Sequence, residues 1–70
     1  MRPLSVKKLM DVLREHDFVV SRQRGSHIIF KNSKSGIIVP VPLHGKTKPI
    51  PIGTFLSIVK QSKIPKDKFR

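Results

Sequence analysis

The chain has 70 residues, no cysteine, and 15 Lys/Arg against 4 Asp/Glu, a formal net charge of +11. A chain this short is expected to fold as one small domain over residues 1–70, with a thin stability margin, because it buries only roughly 60% of its unfolded surface. The composition excludes a disulfide framework and a thiolate zinc site. No apolar run reaches the roughly 20 residues of a membrane span, and "MRPLSVKKLM" lacks the apolar centre of a signal peptide, so the cytoplasm is the expected location.

In chain order, "LSVKKLMDVLREHD" spaces Val6, Leu9, Met10 and Leu13 at i, i+3, i+4 and i+7, one face of an α-helix. Ser5 is the expected N-cap, and Lys8 stands where a capping box would carry glutamate. The helix should stop near His16 and Asp17. "FVVSRQ" (18–23) is rich in strand formers, Arg24-Gly25 is a turn signal, and "SHIIFK" (26–31) reads as a second strand. "NSKSG" (32–36) turns into "IIVPVP" (37–42), a third strand that Pro40 confines to a sheet edge or a bulge. The loop "LHGKTKPIP" leads to a second helix near Gly53–Ser62, whose apolar face is expected to be Ile52, Phe55, Leu56 and Val59. Ile64-Pro65 ends it, and "KDKFR" adds a turn with Phe69 folded back.

The order α-β-β-β-α predicts an α+β fold: a three-stranded antiparallel meander with both helices on one face. The other face is left to solvent or to a partner. Strand alternation sends Ile28 and Phe30 under the helices, and His27, Ile29 and Lys31 to the open face. A slip of one residue would reverse this. Ile29 beside His27 then makes a small apolar patch, a candidate partner interface.

Charge is the strongest guide to function. From Phe18 to Lys66 there is no carboxylate, while nine Lys/Arg fall there. Such a field attracts polyanions through counterion release. Metal-dependent nucleases need carboxylates to hold their ions, and this stretch has none. His16, His27 and His44 lack zinc-ligand spacing. No glycine-rich phosphate loop precedes a helix, and a Ser-His-Asp triad lacks an obvious acid. Neither metal nor cofactor is therefore expected. Acid/base work by histidine remains. It suits RNA, whose 2′-hydroxyl is a nucleophile already adjacent to the scissile phosphate, because imidazole changes charge near neutral pH.

His27 is the candidate catalytic group, although a lone strand histidine is more often structural. Arg22, Arg24, Ser26, Lys31 and Lys46 are the candidate RNA contacts; Arg22, Arg24 and Lys31 are expected to surround His27. His44, in the loop after the third strand, is either a second acid/base or phosphate contact, or a solvated loop residue. His16 has a structural reading at a helix C-terminus. The chain has no Tyr or Trp, and its 4 Phe have core duties, so a base-stacking platform is not expected.

The segments "LMDVLREHDFVVSRQRGSHIIF", "IIVPVPLHG" and "IGTFLSIVKQSKI" and the final Phe69, taken in order, resemble the HicA family of small toxins, mRNA interferases of toxin–antitoxin pairs. The core of the likeness is Gly25-Ser26-His27 with Phe30, then Pro42-x-His44 and Gly53-Thr54-Phe55. The resemblance implies a fold like a double-stranded-RNA-binding domain. It implies a type II toxin that cleaves mRNA without metal, with His27, the histidine of the Gly-Ser-His motif, as acid/base. It also implies a HicB-like antitoxin as partner, expected to cover the open sheet face at His27 and Ile29. Two departures stand out: Asp17 where the family usually has Gly, and a proline-rich "KTKPIPIG". The competing readings are a non-catalytic RNA- or DNA-binding module of the same fold, and an interaction protein whose charge serves an acidic partner.

Overall fold

The computed structural model describes residues 4–43 and 50–69. Its elements are α1 (Val6–Glu15), β1 (Phe18–Arg24), β2 (His27–Asn32), β3 (Ile38–Pro42), α2 (Ile52–Ser62) and a 3₁₀ turn at Lys66–Lys68. The three strands form one antiparallel sheet in the order β1-β2-β3. This is the expected α+β order, with β3 and its proline on an edge.

Ser5 caps α1, its hydroxyl accepting the Lys8 N–H at 3.3 Å. The helix buries Val6, Leu9, Met10 and Leu13, the face its spacing predicted. It ends at His16, and Asp17 turns the chain with φ +71°. That left-handed conformation costs a non-glycine residue energy. Neighbours hold it: the Asp17 carbonyl accepts the Ser33 N–H at 2.8 Å and the Ser33 hydroxyl at 3.2 Å. The Asn32 side-chain amide donates to the His16 carbonyl at 3.0 Å. The exit of α1 is thereby fastened to the β2–β3 turn.

The core lies between the sheet and both helices. Phe30, Val39 and Val41 from the sheet meet Leu9 and Leu13 of α1 and Phe55, Ile58 and Val59 of α2, all buried, with Ile28 packed against them. Each such side chain contributes roughly 1.5–3 kcal/mol when fully buried, so this face fixes the register. Ile28 and Phe30 face the helices as expected.

The apolar face of α2 matches the expectation at Phe55 and Val59 and departs from it at Ile52 and Leu56. Phe55, Ile58, Val59 and Ser62 are buried, whereas Ile52 and Leu56 are exposed at 49% and 44%. The two sets share the same helical spacing, offset by three residues, so hydropathy alone cannot choose between them. Ser62 tolerates burial because its hydroxyl donates to the Val59 carbonyl at 2.8 Å and accepts the Ile64 N–H at 3.2 Å. Phe69 folds back as expected, 2% exposed and edge-to-face with Phe55 at a centroid distance of 6.0 Å.

Candidate functional site

The β1–β2 hairpin sets the position of His27. Arg24 pairs with His27, leaving Gly25 and Ser26 as a two-residue loop. Gly25 has φ +57° and Ser26 is not in the positive-φ region, the pattern of a type II′ turn. A methyl group at Gly25 would meet no atom within 4 Å, so the backbone angle, not space, calls for glycine.

Strict alternation from the buried Phe18 would send Arg22 and Arg24 under the helices. The structure avoids this with a register shift between Val20 and Arg22. Val20 pairs with Phe30, Ser21 is passed over, and Arg22 pairs with Ile29. A bulge of this kind moves every later side chain to the other face. Arg22 and Arg24 therefore share the open face with His27.

Directly opposed residues share a face, so the pairings arrange the open face in three rows. Arg24, His27 and Pro42 form one row; Arg22, Ile29 and Pro40 the next; Val19, Lys31 and Ile38 the last. Arg24 is the direct neighbour of His27, and Arg22 lies one row away. Lys31 is on the same face but four residues along β2 from His27, roughly 13 Å at strand rise, so it does not join the cluster around the ring. Ile29 is half-buried, while Val19 and Ile38 are 54% and 57% exposed and flank the exposed Lys31, so the far end of the face is two apolar side chains around a cation.

The backbone of His27 bonds toward β1 across the tight turn, so its pair with Pro42 is the non-hydrogen-bonded kind, in which side chains approach most closely. Proline fits there because it has no N–H to offer. The Leu43 N–H, in the alternate register, donates to the Ser26 carbonyl at 2.7 Å and anchors the loop residue before His27.

Beside this row lies a cleft of about 430 Å³, floored by Pro40 and Pro42, with His27 on one side and Gly53, Thr54, Ser57 and Gln61 of α2 on the other. The α2 wall is not among the candidate site residues of the sequence; Gly53-Thr54, part of the family likeness, and the spacing of Gly53, Ser57 and Gln61 at i, i+4 and i+8 are its traces there. The N-cap of α2 is Pro51, which supplies no side-chain cap, so the first-turn N–H groups at the cleft's end favour an anion. No carboxylate lines the cleft. Asp11 pairs with Arg14 at 3.7 Å and Asp17 with Lys34 at 3.4 Å, both away from it. Among the described residues, no three His, Asp or Glu side chains gather into a group that could hold a metal ion. The His27 ring is exposed and, among the described residues, makes no hydrogen bond. The ring of His16, by contrast, lies 2.9 Å from the Val12 carbonyl through Nδ1, in keeping with its structural reading. His44 and Lys46 lie outside the described residues.

The sequence matches the family model described as HicA toxin of bacterial toxin-antitoxin over residues 6–64. The chain belongs to the HicA toxin family. No curated protein matches it. As a HicA toxin it is the toxin component of a toxin–antitoxin pair, which implies an antitoxin partner. The matched span takes in the whole sheet, His27 and α2. No helix among the described residues of this HicA protein is long and apolar enough to cross a membrane.

Proposed function

We propose that the protein is a metal-independent endoribonuclease that cleaves mRNA in the cytoplasm, with His27 as the acid/base. The observation that carries this reading is the company His27 keeps: an exposed imidazole with Arg24 opposite it, beside a cleft free of carboxylates. Neutral imidazole takes the proton of the 2′-hydroxyl as that oxygen attacks phosphorus, or the charged form gives a proton to the departing 5′-oxygen. The P–O5′ bond breaks and a 2′,3′-cyclic phosphate is left. Arg24 and Arg22 hold the phosphate and offset the charge that grows on its free oxygens, and the uncapped start of α2 favours the same charge. Ser26, in the turn before His27, and Lys31, farther along the face, extend the contact to neighbouring nucleotides. His44 and Lys46 follow β3 directly and are further candidates for phosphate contact.

The antitoxin would silence the toxin by covering the open face. Val19 and Ile38 flank Lys31 at one end, Ile29 lies mid-face beside Arg22, and His27 with Arg24 lies at the other end. An acidic antitoxin surface would complement the net charge of +11.

Chemistry through the 2′-hydroxyl has a direct test. In EDTA, the protein should cut a single-stranded RNA and leave its 2′-O-methyl counterpart intact, while binding both. Cleavage of both, or cleavage that appears only when a divalent metal is added, would overturn the mechanism. Binding of both with cleavage of neither would favour the non-catalytic binding module.

A further inference from the structure

The wall opposite His27 has the chemistry of a base reader. Thr54, Ser57 and Gln61 line it with two hydroxyls and a carboxamide. Among the described residues, none of these three side chains takes part in a hydrogen bond, so their donors and acceptors are free for a ligand. Pro40 and Pro42 line the cleft with apolar rings, on which a base can lie without an aromatic partner. The cleft's volume of about 430 Å³ falls within the roughly 300–1,000 Å³ of small-ligand sites. Thr54, Ser57 and Gln61 are all exposed and reach the cleft from one flank of α2, and the opposite flank differs sharply: Leu56, Lys60 and Lys63 there offer aliphatic surface and cations.

We infer that Ser57 and Gln61 read the edge of one unpaired base seated on Pro40 and Pro42, next to the phosphate held at His27 and Arg24. The inference rests on the ribonuclease reading for its choice of ligand, single-stranded RNA, and adds sequence selection to it. A carboxamide presents a donor and an acceptor side by side, so it can pair with the edge of an unstacked base and discriminate among bases. Thr54, nearest the start of α2, faces the sugar–phosphate end of the same nucleotide.

Binding can be measured apart from catalysis. Fluorescein-labelled 2′-fluoro octanucleotides of A, C and U lack the nucleophilic hydroxyl and so report affinity whether or not the protein cuts RNA. At fixed salt, the parent should favour one of the three by about fivefold or more, the low end for a bidentate side chain–base pair. Gln61→Ala should flatten that preference, Ser57→Ala should reduce it, and Lys60→Ala on the opposite flank should weaken all three probes alike. Equal affinity of the parent for all three probes, or a preference that survives intact in a folded Gln61→Ala protein, would overturn the inference. Because the probes lack the 2′-hydroxyl and binding is read in EDTA, failure here leaves His27 catalysis standing, and failure of cleavage leaves this measurement valid.

Discussion

At the scale of single residues, the site depends on backbone angles as much as on side chains. Gly25 holds a positive φ in the turn that presents His27. Gly25→Ala should cost roughly 1 kcal/mol or more, although there is room for the methyl group. For a domain this small, that corresponds to a fall in thermal midpoint of about 4–8 °C. An unchanged midpoint would show that the turn is free to adopt another form. Asp17 is the same kind of position filled without glycine. Ser33 and Asn32 bond the carbonyls of Asp17 and His16, so the departure from the usual family glycine is held by neighbours rather than by the residue itself. His27 stood out in the sequence because Gly-Ser-His, the apolar strand behind it and the missing carboxylates drew attention to it; its place, exposed at the mouth of β2 and beside the cleft, comes from the structure.

At the scale of elements, the expectations that succeeded rest on strong periodic signals. The α1 stripe, the two tight connections and the edge-confining Pro40 each follow from one local rule. Two features did not follow. The α2 face is degenerate by three residues, and only the sheet beneath decides that Ile58 is buried and Leu56 is not. The bulge at Ser21 has no glycine or proline to announce it, yet it puts Arg22 and Arg24 on the open face. A prediction follows from its geometry. Deleting Ser21 should join Val20 directly to Arg22 in regular pairing, with every partner on β2 kept. The fold and RNA affinity should then survive. If instead the deletion shifts the register, both arginines turn away from RNA. The slope of log affinity against log salt would then lose about 1.4 units, roughly 0.7 for each phosphate contact on a single strand. Salt titrations of the two proteins distinguish these outcomes.

At the scale of the whole molecule, one sheet face is devoted to stability and the other to contact. The helices pack on the first over Phe30, Val39 and Val41, leaving Val20 at the β1 side 48% exposed. The second keeps Val19 and Ile38 exposed on either side of Lys31, apolar surface that a partner could cover. The β3 edge is closed to strand pairing, because Pro40 and Pro42 occupy the positions whose N–H would point outward. A partner is therefore directed to the face rather than to that edge. Ile38→Asp should weaken antitoxin binding by about fivefold or more while changing the thermal midpoint little, since the side chain is already exposed. Undiminished binding of a folded Ile38→Asp protein would move the antitoxin interface elsewhere.

Everything proposed for the site turns on one histidine doing the chemistry, without metal, in this basic setting. The most direct measurement is single-turnover RNA cleavage in EDTA by the parent and by His27→Ala, with circular dichroism and RNA affinity recorded for both. His27→Ala should stay folded, bind RNA within a few-fold of the parent, and cleave about 10²–10⁴ times more slowly, the range for loss of general acid/base catalysis. Equal cleavage by the two folded proteins would contradict that role for His27.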